Sequence, residues 1–558
     1  MRMTKLHLTA MIGGLSSNST GRSMRVPLRS VAVSLALMLL VGACGTAAVS
    51  PTGSSPAGGP SGAATEPGTP TRGGILKVAT DANPVGLDPH KSPAFASWII
   101  NEQLYATLLG RDVDGKIVPG LAESYETPDD TTYVFHLRAG LKFSNGHALT
   151  AEDVKYSFER MKDPKTASPW KSIYDRVATI ETPDDLTVKF TMTEPFGPFL
   201  SYVSYGVYGA IVDREIVEQA GDLQLTSAGA GPFMLAKYNP GQNITLERNP
   251  NYWEEGVPYL DGIEIQVIED QSTRIAAIRS GTVDFTWLFE VRINEIIGND
   301  PNITVLDPKR ATGEEGLAFN QTKPPFNDVN VRRAVSLALD RQAIIDQVLN
   351  GKGQVGTKIP CGSVPYGYCG NGSDLPYHTR NLVEAKRLLA EAGFPAGLDT
   401  TLVVSPLYPR DVSTAEVMQT QLAEAGIRVT IIQQEWGKVL QDYIDTAYDG
   451  MSMIGLVWQP DPDADVYDIY YSKSAINLGK WNDSAEVDSL LNAGRSTTDI
   501  AARAEIYLKL QRLVADQAYM IFPYTVFGNT QLVRSVVQGF TPSDSGLHPG
   551  WRYSWLKR

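Results

Sequence analysis

Apolar residues along the chain recur at two kinds of spacing. Alternation with polar residues over short runs predicts strands at Ile75–Thr80, Tyr133–Arg138, Thr187–Thr193, Ile244–Arg248 and Ile263–Ile268. Helical spacing lies between these runs, and one helix, Ala151–Lys162, is predicted to begin at a capping box formed by Thr150 and Asp153. Strands that alternate with helices predict an α/β architecture with mixed sheets.

The second half of the chain shows the same alternation more regularly. Helices are predicted at Val331–Leu349, Leu382–Ala392, Val412–Ala425 and Gly437–Thr446, and strands at Thr400–Ser405, Arg428–Gln433 and Met451–Val457. This order predicts a lobe built from βαβ units. No internal repeat is visible at a period of about twenty to fifty residues.

A basic and then apolar segment stands near the start of the chain. Arg25 and Arg29 precede an apolar run from Val31 to Ala43, which ends in small residues just before Cys44. A helix of about thirteen residues spans only about 20 Å of a hydrocarbon core about 30 Å thick. The run therefore predicts a signal peptide over residues 1–43 rather than a membrane span, and Met24 opens a more typical one than Met1.

The sequence Val-Gly-Ala-Cys that ends at Cys44 resembles a bacterial lipobox. That resemblance implies cleavage before Cys44 and attachment of lipid to it, and an ordinary secretory signal with a chance cysteine is the alternative. Residues 45–72 contain mostly Gly, Pro, Ser, Thr and Ala, a composition that buries too little apolar surface to fold. They predict a tether with a mean reach of about 30 Å, so we expect a protein anchored to the outer face of the cell membrane.

Charge and cysteine content narrow the class of protein. The signal peptide carries five basic residues and no acidic one, so its removal moves the formal charge from −13 to about −18 and argues against nucleic-acid partners. The roughly 480 remaining residues predict two or three domains.

Cys361 and Cys369 are predicted to form a disulfide in an exported chain. Only His378 lies near them, so no metal site is predicted.

Motifs of catalysis and of nucleotide binding are weak or missing. Residues 351–356 fit the glycine spacing of a dinucleotide loop, but they follow a helix rather than a strand, so we interpret them as a turn. Thr357 and Lys358 stand in the wrong order for a phosphate-binding loop. Neither the HExxH nor the GxSxG pattern occurs. The sequence predicts no cofactor and no enzyme activity.

Short blocks spread over nearly the whole mature chain resemble, in order and spacing, the family 5 extracellular solute-binding proteins of ABC importers. They are Gly73–Val78, Leu87–Pro89, Val118–Tyr125, Tyr133–Arg138, Leu149–Val154, Gly231–Phe233, Arg248–Trp253, Pro325–Asp328, Val331–Ala334 and Ala338–Arg341. The resemblance implies a fold of the periplasmic-binding-protein type with mixed sheets. It has three domains in two lobes that close on a ligand about a hinge.

The resemblance also implies where the domains lie. Domain I would comprise residues 73–105, 226–316 and 524–558. Domain II would comprise residues 106–225, and domain III residues 317–523. The chain would cross between domains I and III near Gly316–Asn320 and near Pro523–Phe527, and two such crossings form a hinge.

Asp461 is the leading candidate for the ligand's ammonium group, because a carboxylate offsets the desolvation of a buried cation. It stands in Trp458-Gln459-Pro460-Asp461, similar to the Trp-x-x-Asp segment with which relatives hold a peptide N-terminus. The spacing after it is compressed. Asp463, Asp465 or a solvated acidic loop are therefore the alternatives.

Other site residues are implied by the same resemblance. Trp458, Trp436 and Trp170 match aromatic walls of side-chain pockets, and Tyr524 and Phe527 lie at the second crossing. Plain core positions are the alternative for each. Arg410 is a candidate partner for a ligand carboxylate. The backbone of Gly316, Ala318 and Asn320 could pair with an extended peptide.

The leading hypothesis is a monomeric receptor that binds di- or oligopeptides and delivers them to an ABC permease with its cytoplasmic ATPase. A second hypothesis keeps the fold but exchanges the cargo for a nickel chelate, an opine-like conjugate or an oligosaccharide. A third, a secreted hydrolase, lacks a recognisable nucleophile and base.

Overall fold

The computed structural model describes residues 69–92, 94–288, 293–307, 313–357, 374–457, 461–473, 484–526, 530–542 and 550–557. The predictions for Cys44, Cys361, Cys369, Trp458 and Phe527 lie outside these residues. No helix within these ranges is both long and apolar enough to cross a membrane.

The strands are listed here in chain order. They are β1 (Ile75–Thr80), β2 (Leu109–Arg111), β3 (Ile117–Pro119), β4 (Ala122–Asp129), β5 (Thr132–Leu137), β6 (Val177–Asp184), β7 (Thr187–Met192), β8 (Phe233–Asn239), β9 (Asn243–Arg248), β10 (Gly262–Val267), β11 (Phe285–Leu288), β12 (Ile303–Leu306), β13 (Gly313–Phe319), β14 (Gly353–Val355), β15 (Leu398–Val404), β16 (Ile427–Gln433), β17 (Met451–Val457), β18 (Met520–Val526), β19 (Thr530–Arg534), β20 (Val537–Gln538) and β21 (Trp555–Leu556).

The α-helices follow in the same order. They are α1 (Phe95–Leu104), α2 (Ala151–Lys162), α3 (Lys171–Tyr174), α4 (Phe199–Val203), α5 (Gly206–Gly209), α6 (Arg214–Ala220), α7 (Gln271–Ser280), α8 (Ile293–Ile297), α9 (Val329–Ala338), α10 (Arg341–Leu349), α11 (Leu382–Glu391), α12 (Pro409–Glu424), α13 (Trp436–Asp445), α14 (Pro462–Tyr470), α15 (Ala485–Ser496) and α16 (Ile500–Gln517). The mixture of helices with several mixed sheets confirms the predicted fold class.

A seven-stranded sheet gathers strands from both ends of the chain, in the order β12-β19-β11-β1-β10-β9-β8. Strand β1 is parallel to both of its neighbours, β10 and β11, and the other pairs are antiparallel. Leu76 and Val78 of β1 are fully buried beside Ile263 and Ile265 of β10. Apolar packing around β1 therefore holds the N-terminal and C-terminal segments together.

A second sheet, antiparallel and four-stranded, is formed by a single continuous segment in the order β4-β5-β7-β6. Helix α2 packs on it and begins at the predicted capping box, where the Thr150 N–H donates to Asp153 Oδ2 at 2.9 Å. The aromatic rings of Phe135, Phe158 and Phe199 surround Phe190 with centroid distances of 5.0 to 5.7 Å. This aromatic cluster fixes the helix on the sheet.

A third sheet has six strands in the order β14-β18-β13-β17-β15-β16. Strand β15 is parallel to β16 and β17, whereas β13 is antiparallel to β17 and β18. The three strands β15, β16 and β17 therefore point the same way, and their carboxyl ends share one edge of the sheet.

The first and third sheets are joined by two neighbouring connections. Strand β12 leads through residues 307–312 into β13, and β18 leads through residues 527–529 into β19. Strands β12 and β19 are paired in the first sheet, and β13 and β18 in the third. The predicted crossings near Gly316–Asn320 and Pro523–Phe527 were placed a few residues inside these strands, because both strands stay paired in the third sheet until Gly313 and Val526.

Two predicted elements differ from the structure. The single helix predicted over Val331–Leu349 is two helices, α9 and α10, because the Asp340 carboxylate caps α10 by accepting from the Ala343 N–H at 3.0 Å. The glycine-rich stretch interpreted as a turn contains the edge strand β14, which pairs with β18.

Candidate functional site

Three of the predicted site residues lie at the carboxyl edge of the third sheet. Arg410 follows β15, Trp436 follows β16, and Tyr524 stands near the end of β18. Ligands of open α/β sheets bind beyond the carboxyl ends of parallel strands. This edge is therefore the candidate site, which we call the carboxyl edge.

Arg410 is paired with two carboxyl groups of the protein itself. It lies in the first turn of α12, its Nη2 donates to Glu315 Oε2 at 3.2 Å, and its Nε is 3.8 Å from Asp411 Oδ1. The side chains of Glu315 and Asp411 are almost completely buried, whereas that of Arg410 is 31% exposed. Arg410 therefore compensates buried acids, and only its outer part faces solvent.

Glu315 and Asp411 lie next to each other, because Arg410 contacts both carboxyl groups. Burial, followed by the charge of Asp411, raises the pKa of Glu315 well above its usual range, although Arg410 opposes this. Burial also raises the pKa of Asp411. Both shifts favour the protonated form of the pair.

Two tyrosines complete this cluster. Tyr524 is fully buried and its hydroxyl lies 2.8 Å from Thr414 Oγ1, so it lies in the core, which is the alternative to a pocket wall. Tyr408 is half-buried beside Trp436, with ring centroids 5.0 Å apart. Burial raises the pKa of Tyr408 to about 12, and the acids Asp411 and Glu315 add to this effect.

Asp461 is not available as a ligand carboxylate. Arg503 donates to both of its oxygens, at 2.7 and 3.0 Å, and the Asp463 N–H donates to Oδ1 at 2.9 Å. The side chains of Asp461 and Arg503 are both completely buried. Asp461 thus caps α14 and neutralises Arg503, and the predicted ammonium contact is replaced by this internal ion pair.

Asp463, one of the alternatives, is likewise engaged. Arg495 donates to both of its oxygens at 2.7 and 2.8 Å, and the Tyr202 hydroxyl donates to Oδ2 at 3.2 Å. Tyr202 belongs to α4, beside the four-stranded sheet. Asp463 therefore ties that sheet's packing to the helices near the end of the third sheet. The backbone of Asp465 lies in α14.

The predicted tryptophan walls have separate outcomes. Trp170 is 1% exposed in the core of the four-stranded sheet, where its ring packs against Tyr208 at 4.7 Å and its Nε1 donates to Pro89 O at 3.4 Å. It therefore lies in the core, which is the alternative to a pocket wall. Trp436 is 7% exposed and lies at the carboxyl edge, against Tyr408.

The predicted backbone contacts of β13 are also occupied. Gly316 pairs with Ile454, and Ala318 pairs with both Ser452 and Met520. Asn320 stands at the opposite end of the strand, where its Nδ2 donates to Tyr448 O at 2.6 Å. A central strand with neighbours on both sides leaves little free backbone for a ligand strand, so contact with a peptide here stays a prediction.

One buried cluster explains the Leu-Asp-Pro block. Arg160 of α2 donates to both oxygens of Asp88 at 2.6 and 2.9 Å, and to His90 Nδ1 at 2.9 Å. Burial and then the charge of Arg160 lower the pKa of His90 to about 4, so the neutral ring donates through Nε2 to Ala210 O at 2.9 Å. This cluster is structural. Within the described ranges, no three His, Cys, Asp or Glu side chains are grouped to hold a metal.

The family model of the bacterial extracellular solute-binding proteins, family 5 Middle, matches residues 116–477. Over 519 residues the chain is 29% identical to the di/tripeptide-binding protein 1 of Pseudomonas aeruginosa, covering 86% of this chain and 94% of the relative. It is 30% identical over 500 residues to the periplasmic oligopeptide-binding protein OppA of Salmonella typhimurium, covering 82% and 88%.

A solved structure shares the whole architecture. It is the binding protein AgaA of A. tumefaciens R10 in complex with agropinic acid, with a TM-score of 0.71 and 29% identity. The match covers 87% of this chain and 99% of that one. Similarity over such coverage extends beyond a shared motif to the full arrangement of the sheets.

Proposed function

The chain belongs to the bacterial extracellular solute-binding proteins of family 5, and we propose that it is the peptide-binding receptor of an ABC importer. It captures di- or oligopeptides between two lobes and delivers them to a membrane permease driven by a cytoplasmic ATPase. The observation that carries the proposal is the pair of neighbouring connections between the first and third sheets. Two adjacent crossings allow one body to rotate against another and enclose a ligand.

We assign the lobes by the sheets. Domain I, with the seven-stranded sheet, and domain II, residues 106–225, form one lobe, and domain III, with the six-stranded sheet, forms the other. The cluster of Asp88, His90 and Arg160 supports the grouping of domains I and II. At the hinge, Thr530 Oγ1 donates to Asp307 Oδ1 at 2.6 Å, which joins the first residue of one connection to the residue that follows the other.

Contacts between domains II and III are, in this proposal, those of the closed receptor. They include the hydrogen bond from Tyr202 to Asp463, the Gly197 N–H donating to Arg495 O at 3.0 Å, and Thr498 Oγ1 donating to Asp130 Oδ1 at 2.9 Å. Cargo that contacts both domains would add to these contacts and so favour closure.

Tyr202→Phe is expected to weaken cargo affinity about fivefold, because one hydrogen bond worth about 1 kcal/mol is lost from the closed state alone. Isothermal titration with a peptide measures this. Tyr133→Phe is the matched control, since its hydroxyl donates to Phe196 O at 3.0 Å within domain II. An unchanged affinity for Tyr202→Phe would show that the contact does not belong to closure.

Peptide cargo is supported by the two relatives, one a di/tripeptide-binding protein and the other an oligopeptide-binding protein. A second candidate cargo is a non-peptide organic acid, as in the relative solved with agropinic acid. The occupied carboxylate of Asp461 favours this candidate, because the expected ammonium partner is missing from that position. Titration with free peptides and with organic acids decides between them, and a receptor that hydrolyses the peptides would contradict both.

Export and anchoring are part of the proposal. The sequence around Cys44 supports a lipid anchor. Cys44→Ser is expected to move the protein from the membrane fraction into the soluble fraction of lysed cells, and an unchanged membrane fraction would contradict the anchor.

A further inference from the structure

We propose that the carboxyl pair of Glu315 and Asp411 holds the ammonium group of the cargo. This inference rests on the proposed function and names the residues and the ligand chemistry of its site. The ligand class is a primary ammonium, such as the N-terminus of a peptide.

One buried oxygen of each acid in this pair lacks a protein donor. Glu315 Oε1 and Asp411 Oδ1 accept no hydrogen bond from another group of the described protein, although Glu315 is 1% and Asp411 4% exposed. Buried acceptors are normally satisfied, so each unsatisfied one needs a partner. Gln434, which follows β16 at the same edge, also has a buried and unpartnered Oε1. An ammonium group supplies three donors and no acceptor, which fits such a set.

Open space adjoins Glu315 on the face of the sheet. In the register of the three strands, Glu315 lies between Gly455 of β17 and Tyr524 of β18. A Cβ added to Gly455 would meet, among the described atoms, only the Glu315 carboxyl oxygens, at 3.8 and 3.9 Å. A glycine at this position therefore leaves room beside the carboxyl group that any larger residue would fill.

The surroundings of the pair favour exchange of one cation for another. The titratable groups that face it are Arg410 and Tyr408 at the start of α12 and Tyr524 on β18, while β17 contributes only Gly455. With one proton bound, the pair carries one negative charge and Arg410 balances it. When an ammonium replaces the proton, two carboxylates face two cations, so the buried cluster remains neutral.

The surface around the cluster is suited to a cargo that carries an apolar group next to its ammonium. Leu407 is 56% exposed immediately before Tyr408, and the outer part of Arg410 is accessible beside it. An apolar side chain next to the ammonium can therefore rest on Leu407. The pair, the glycine and Leu407 together define an ammonium subsite with an apolar border.

Binding should release about one proton to the buffer, because the incoming ammonium is already protonated and the displaced proton has no other acceptor. Affinity should then rise by up to about tenfold per pH unit below the pKa of the pair, by linkage. Lower pH therefore weakens cargo binding, because it favours the protonated pair over the pair with a bound ammonium. Deprotonation of a peptide N-terminus limits the rise above a pH of about 8.

The test is isothermal titration of the whole protein with trialanine at pH 6.5, in buffers that differ in ionisation enthalpy. The expected result is release of about one proton per trialanine bound, and at least a tenfold weaker affinity with N-acetyl-trialanine. In Glu315→Gln the amide can donate to Asp411 in place of a protonated carboxyl group. That variant should fold normally, release no proton and bind trialanine at least tenfold more weakly.

Two further variants secure the interpretation. Glu314→Gln is the matched control, because Glu314 is equally buried on the same strand but accepts from the Thr357 N–H at 3.1 Å, and its proton release should equal that of the wild type. Gly455→Ala should keep the thermal midpoint and weaken binding by narrowing the space. Trialanine binding without proton release, or unchanged in Glu315→Gln, overturns this inference and leaves the receptor proposal intact. Absence of binding by every free peptide overturns both.

Discussion

Asp461→Asn is expected to lower the free energy of unfolding by about 3–5 kcal/mol, because it leaves the Arg503 guanidinium buried without a counter-charge. Asparagine caps a helix about as well as aspartate, so the change isolates the ion pair from the start of α14. Chemical denaturation followed by circular dichroism measures the loss.

Asp399→Asn is the matched control for this substitution. Asp399 also accepts two hydrogen bonds from one guanidinium, that of Arg428, at 2.7 and 3.0 Å, but both side chains are exposed. Solvent screens such a pair, so little change in stability is expected. If Asp461→Asn kept its stability and lost only cargo affinity, Asp461 would be a ligand residue after all.

Trp170→Ala is expected to cost about 3–5 kcal/mol of stability, because it removes a large side chain from a close-packed core and leaves a cavity. Cargo affinity, measured on the folded fraction, should stay the same, since Trp170 presents almost no surface to a ligand. Calorimetric unfolding and peptide titration give the two quantities.

Trp170→Phe serves as the graded control, because it keeps much of the ring and loses only the bond to Pro89 and part of the volume. Its stability should fall between those of the wild type and of Trp170→Ala. A large loss of affinity with little change in stability would show instead that Trp170 lines the ligand pocket.

Local patterns predict the elements of this fold well, for reasons visible at particular residues. Strand β1 and helix α2 have the predicted bounds, since alternation defines the first and the capping box of Thr150 and Asp153 defines the start of the second. The break between α9 and α10 was missed because the helical spacing continues through it. Asp340 is the signal that could have revealed it, as a capping residue inside an otherwise apolar pattern.

The site was harder to predict because its partners are distant in the sequence. Asp461 was taken as a ligand residue from the Trp-x-x-Asp resemblance, but Asp461 followed by Pro462 is also a helix start, with a cap and a proline in the first turn. Its partner Arg503 lies on another helix, and no sequence spacing connects the two. Only the folded arrangement identifies the pair.

The position of Glu315 in the sequence does indicate a polar cluster. It stands with Glu314 in Gly313–Phe319, a strand buried on both faces, where charged residues are rare unless paired. Two acids in such a strand could have indicated a polar cluster. The identity of the pair, with Asp411 about a hundred residues away, still required the register of β13 against its neighbours.

Native mass spectrometry of the exported protein, purified without denaturation, tests most directly whether this chain is a peptide receptor. We expect that a fraction of the molecules carries short peptides that are released intact on denaturation, and that added trialanine forms a one-to-one complex. Recovery of metal chelates, sugars or organic acids alone, together with no complex for any free peptide of a mixed library, would contradict this expectation.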